Sequence, residues 1–167
     1  MTSFSAPYGK FEQLMTLFVI VGIGFGMLVL LYSPNRPEYS VYAKIIACFL
    51  LLPILWMWLF STRGYEIEQD HVKIKRLISS VRIPIEKTIS IELREDIKVF
   101  DITKIAGSGG AFGWIGYHRS KKIGTPIKTY MNRVSPMILI HTERITYLLS
   151  PDEERIFLDE LRTRAGS

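Results

Sequence analysis

Two long apolar runs dominate the N-terminal third of the chain, from Leu14 to Tyr32 and from Val41 to Phe60. The first carries no charge, and the second carries only Lys44, near its start. At about 1.5 Å per residue each spans roughly 30 Å as a helix, the thickness of a bilayer's hydrocarbon core. Neither run shows a polar face of the kind a surface helix presents to water. They also explain a positive mean hydropathy of +0.19, unusual for a soluble domain of 167 residues. The expectation is a transmembrane helical hairpin with helices at about 14–32 and 41–60. Ser33 to Ser40 would be its polar connection, and Pro53 a kink that a membrane helix tolerates. The first run exceeds a leader peptide's apolar core, and no small-x-small site follows Tyr32, so a retained span is expected.

Orientation follows from the basic residues. Arg36 and Lys44 lie on the connecting side, against Lys10, Arg63, Lys73, Lys75 and Arg76 on the other. The positive-inside rule then places both termini and the whole C-terminal part in the cytoplasm, against the inner membrane. Gly22 and Gly26 form a G-x-x-x-G face, a candidate helix-packing surface. It would serve a contact with a second copy or, as is expected here, either pack against the second helix of the same pair or simply reflect the high glycine content of membrane helices.

From Gly64 onward the pattern changes to alternation. Tyr65 and Ile67 alternate with Glu66 and Glu68, and Val72 and Ile74 with Lys73 and Lys75, with Asp70-His71 as the expected turn. That register places Glu68 opposite Lys73 and Glu66 opposite Lys75. Further apolar alternations lie at 81–85, 89–93, 97–105, 125–131, 137–140 and 145–149. Many short strands without intervening helices indicate an antiparallel barrel or sandwich. The chain then ends in one helix, with Ser150 as its expected N-cap, Pro151 at the first position and Glu153 completing a capping box. Ile156, Phe157 and Leu161 would form its apolar stripe. The division expected is 1–63 for the helices and 64–167 for the β domain.

The glycine-aromatic run from Gly107 to Gly116, with Gly124, Tyr130-Met131-Asn132, Met137 to Ile140 and Ser150-Pro151-Asp152, resembles the bacterial pleckstrin-homology-like (PH-like) domains of small membrane proteins. The resemblance covers roughly 64–164. It implies a mainly-β PH-like barrel capped by a C-terminal α-helix, and an interaction module more than an activity.

Within 102–142 the chain has six basic residues, Lys104, Arg119, Lys121, Lys122, Lys128 and Arg133, and no acidic one. Beside Phe112, Trp114 and Tyr117 they are candidate lipid- or partner-binding residues, since cations near aromatics suit an anionic membrane surface. Phe112 and Trp114 themselves are expected to pack, with the glycines around them making tight turns. By contrast, Lys73 and Lys75 of the first hairpin are expected to be paired with glutamates, a poor phosphate cradle. His71, His118 and His141 lack metal-ligand spacing, and Cys48 falls in an apolar run, so no metal, cofactor or disulfide is expected. No nucleophile–base arrangement appears. The sequence therefore reads as a non-enzymatic, membrane-anchored scaffold with a protein partner or self-association and no nucleic acid. The alternative is an anionic-lipid sensor using the basic 102–142 face.

Overall fold

The computed structural model describes residues 2–32, 39–124 and 126–166. It begins with a short strand, β1 (Thr2–Ser5), followed by two apolar helices lying side by side, α1 (Lys10–Tyr32) and α2 (Tyr39–Leu59). Residues 33–38, the connection expected between the helices, lie outside the described residues, as does Thr125 at the expected start of a later strand. Strand β2 (Thr62–Ile67) follows α2 and pairs antiparallel with β1, placing Phe4 opposite Tyr65 and Ser5 opposite Gly64. At Gly64 a Cβ would lie 2.6 Å from the Phe4 carbonyl oxygen, so glycine is what lets β1 approach. Phe4 is buried edge-on against Phe157 at 5.0 Å. The helices are thus inserted between the first two strands of the β domain, and residues 2–6 belong with that domain rather than with an N-terminal unit ending at 63.

Strands β2, β3 (His71–Arg76) and β4 (Ser80–Pro84) extend this sheet in the order β1-β2-β3-β4. The register differs by two residues from the sequence-based expectation: Ile67 faces Val72, Tyr65 faces Ile74 and Glu66 faces Lys73. The Glu68 amide donates to the His71 carbonyl at 3.0 Å, so Gln69-Asp70 is the two-residue turn. A shift of two preserves which side chains face the core, so hydrophobic alternation allows either register and turn geometry selects one. Glu66 still meets lysines, Lys73 at 3.3 Å and also Lys75.

The second sheet has six strands: β5 (Thr88–Arg94), β6 (Ile102–Gly110), β7 (Gly113–Ser120), β8 (Ile127–Met131), β9 (Met137–Thr142) and β10 (Thr146–Leu149). Their order is β5-β9-β10-β8-β7-β6. Strand β10 runs antiparallel to β9 and parallel to β8, which corrects the expectation of an entirely antiparallel arrangement. The β9–β10 hairpin folds back so that β10 lies between β9 and β8. The run Met137 to Ile140 is apolar at every position because both faces of β9 are covered. Ile138 and Ile140 join Tyr65, Ile74 and Phe157 in the core between the sheets. Met137 and Leu139 join Ile97, Trp114 and Val134 in a second core on the opposite face.

The glycine-rich run is a hairpin, not the compact turn expected. Strands β6 and β7 pair from Ile102–Ser120 to Gly110–Gly113, and only Ala111 and Phe112 lie between them. Gly107 and Gly116 face each other with φ of 123° and 118°. A Cβ on either would approach backbone oxygen at 2.0 or 2.2 Å, so both glycines serve close strand approach.

The last helix, α3 (Glu154–Ala165), buries Phe157, Leu158 and Leu161 against the first core, while Ile156, expected in the apolar stripe, is 56% exposed. The helix starts four residues after Ser150, which is not its cap. Ser150 is buried: its hydroxyl accepts the Asn132 amide at 3.0 Å, and its own amide donates to the Tyr65 hydroxyl at 3.0 Å. Asp152, just beyond, accepts the Ser5 amide at 3.1 Å and locks β1 in place. The capping-box pattern marked a helix start in the right region, but tertiary hydrogen bonds claimed its serine.

Candidate functional site

Three features meet where the helices join the β domain. The first is a brace at Asn132, immediately after β8. Its side-chain amide donates to the carbonyls of Ala6 and Thr62, both at 2.7 Å, and its backbone carbonyl accepts the Gly9 amide at 3.0 Å. One buried side chain therefore clamps both ends of the helical insertion to the sheet.

The second is the contact between the β6–β7 hairpin and α1. Glu12, 2% exposed, accepts a hydrogen bond from the Trp114 indole at 2.9 Å, and Thr16 accepts one from the Phe112 amide at 2.9 Å. Moving two residues towards the hairpin tip moves the contact one turn along α1. The tip thus points along the apolar length of α1, and the opposite end of the hairpin points away from it. Lys104 and Arg119 lie roughly 20 Å back from the tip, at about 3.3 Å per strand residue.

The third is an aromatic and cationic ladder at the end of α2. Trp56 contacts Phe60 at 4.5 Å, and Arg63 lies over Trp58 at 5.3 Å. Arg76 lies 5.4 Å from Phe60 and 5.9 Å from Tyr130, and Lys128 lies 5.8 Å from Tyr130 and 5.3 Å from Tyr117. Next to it, the Ile78 amide donates to the Leu59 carbonyl at 3.3 Å, which sets the exposed Leu77 and Ile78 beside the last turn of α2.

The six cations of 102–142 do not form one face. Lys122 bonds to Asp101 at 2.8 Å and to the Asp96 carbonyl at 3.1 Å. Arg133 bonds to the Pro151 carbonyl at 2.6 Å and to Glu154, tying β8 to the start of α3. Lys128 is sandwiched in the ladder. Lys104, Arg119 and Lys121 are exposed at the far end of the hairpin and form no ion pair among the described residues. Of the candidate packing glycines, a Cβ at Gly22 or Gly26 would meet nothing within 4 Å among the described residues.

In the first hairpin, hydrogen bonding to Lys75, opposed by partial burial and assisted by Lys73, holds the Glu66 carboxyl below its usual range. His71 lies 2.6 Å from Asp70 and 3.2 Å from Glu68. His71, Lys73 and Lys75 are thus each beside a carboxylate, whereas Arg76 of the same hairpin lies over aromatic rings instead. His118 is fully buried and bonds to Thr129 at 2.8 Å, and desolvation pushes its imidazole below the usual value. Among the described residues no cluster of His, Cys, Asp or Glu could hold a metal ion.

Sequence reasoning missed Asn132, Glu12 and β1. Glu12 did carry a signal, as the only acidic residue in the first turn of α1. Asn132 appeared only within the run that carries the family resemblance, and its bracing role was not legible because it depends on backbone from distant segments.

Comparison with known proteins agrees with the fold. No curated protein and no solved structure matches the chain. The bacterial PH domain family model matches residues 63–165, from the second residue of β2 to the last residue of α3. That match spans more than half of the sequence, and the chain belongs to the bacterial PH domain family.

Proposed function

We propose that this protein is a non-enzymatic, membrane-anchored interaction module, with a PH-like domain held at the cytoplasmic face by α1 and α2. One observation carries the reading. Lys10–Val29 is long and apolar enough to cross a membrane, and its side chains are unburied: Phe18 is 73% exposed, with Leu14, Val21 and Phe25 also open. Such a surface is costly in water and favourable in lipid. Because the helices are inserted between β1 and β2, such an anchor would hold the domain at two adjacent chain segments. The aromatic end of α2, with Arg63 and Arg76 over its rings, suits the headgroup layer.

Extraction of membranes with alkaline carbonate tests the anchor. The full chain should remain in the pellet and be released by detergent. Release by carbonate alone would contradict the proposal.

A second reading, anionic-lipid contact, is favoured by the ladder and not by the full set of 102–142 cations. Arg76 and Lys128 lie between aromatic rings beside α2 and form no salt bridge among the described residues. In nanodiscs, Arg76→Gln with Lys128→Gln should reduce the anionic lipid retained by the protein. Unchanged retention would remove this reading and leave the anchor intact.

A further inference from the structure

We propose that the outer edge of β6 is a docking strand for an extended, acidic segment of a partner protein. This deepens the interaction-module reading and rests on it, but it does not require the membrane span.

Among the described residues, strand β6 is the last strand of its sheet, with β7 on one side and no strand on the other. It is nine residues long, and 103–107 are exposed without a break. Such an edge presents unpaired backbone donors and acceptors, the template used in recognition by strand addition. The tip meets α1, where a Cβ on Gly110 would lie 3.5 Å from Phe11.

Apolar side chains accompany the edge. Phe100, immediately before β6, is 94% exposed, and Ile105, at the irregularity between Lys104 and Ala106, is 60% exposed. Ile105 also lines a shallow recess with Arg119, Lys121 and Pro126. An exposed aromatic at the start of an edge strand has the character of an interface anchor.

Charge specifies the occupant. Lys104, Arg119 and Lys121 surround this end of the hairpin without an ion pair among the described residues, and 102–142 contains no carboxylate. An acidic segment complements them. A second copy joined β6 to β6 would set these cations against each other. A bilayer holding α1 fits poorly, because this end of the hairpin points away from the apolar length of α1.

The test uses the full chain in detergent micelles and a synthetic peptide of alternating Glu and Val, matched in length to β6. Its Lys–Val counterpart is the control. The acidic peptide should slow amide exchange across 102–110, and the basic one should not. The combined change Lys104→Glu, Arg119→Glu and Lys121→Glu should weaken the acidic peptide roughly tenfold and transfer preference to the basic one. Phe100→Ser should weaken binding without changing that preference. Equal effects of both peptides, no slowing at millimolar peptide, or stronger slowing by anionic lipid nanodiscs would each overturn the docking strand. A photo-crosslinker placed in cells at Phe100, and separately at Ile156 on α3, distinguishes the two levels. Adducts at Phe100 to an acidic segment support the proposal. Protein adducts only at Ile156 would sink it while sparing the interaction module, and adducts at neither position would count against the module itself.

Discussion

At the residue scale, Asn132 and Tyr65 hold the domain together through polar atoms removed from water. Replacing Asn132 with Ala leaves the Ala6 and Thr62 carbonyls without their shared donor. Each buried unsatisfied group costs about 1–3 kcal/mol, so Asn132→Ala should lower stability by roughly 2–5 kcal/mol, read from denaturant unfolding in detergent. Tyr65 donates to the Tyr130 carbonyl at 2.6 Å from a fully buried site, and burial pushes its hydroxyl up to about 12. The folded-state value is raised above the unfolded one, near 10. This group's contribution is therefore complete below pH 10 and is lost as pH rises from there towards 12. The loss should total roughly 2–3 kcal/mol by pH 12, and Tyr65→Phe should remove that alkaline slope while lowering stability at pH 7. Unfolding midpoints measured from pH 8 to 11.5 check both parts. An alkaline slope that survives in Tyr65→Phe would contradict the assignment.

At the element scale, β1 completes the domain from the far side of the helices. Phe4 and Ala6 contribute to the first core, and Ser5 bonds through backbone and side chain to Asp152. A fragment of 64–167 therefore lacks a core strand and should expose Tyr65 and Phe157. Joining 2–8 directly to 61–167 through a short flexible linker should restore a cooperatively folding, soluble β-rich chain. Thermal unfolding followed by circular dichroism compares the two. A 64–167 fragment as stable as the joined chain would show that β1 is dispensable. This element was hardly legible in advance: Thr2-Ser3-Phe4-Ser5 is too short for periodicity to register, and its partner lies past two helices. Strand β7 was hidden for another reason. Its glycines read as turn formers, although Gly116 is there because the opposing backbone leaves no room for a Cβ. By contrast β3, β4 and β9 stood out, because alternation at Val72-Ile74 and unbroken apolarity at Met137 to Ile140 record burial on one face and on two.

At the scale of the whole molecule, a β domain interrupted after its first strand by an apolar helical pair constrains topology more than charge counting does. The expected basic face spread over 102–142 depended on sequence proximity alone. The folded chain spends Lys122 and Arg133 on internal bonds, stacks Lys128 on tyrosines and carries the other three cations to the far end of a long hairpin. Charge composition was visible in the sequence, but the division of those charges was not, because it depends on which carboxylates and carbonyls the strand order brings near. The central claim is that β1 and the rest of the PH-like domain lie on one side of a membrane and the connection between the helices on the other. Single cysteines at Ser3, Lys121 and Asn35, in a Cys48→Ala background, test it with an impermeant thiol reagent on intact cells and on permeabilised cells. The account predicts labelling of Asn35 in intact cells and of Ser3 and Lys121 only after permeabilisation. Labelling of Ser3 in intact cells while Lys121 stays protected would separate β1 from its sheet and contradict the account.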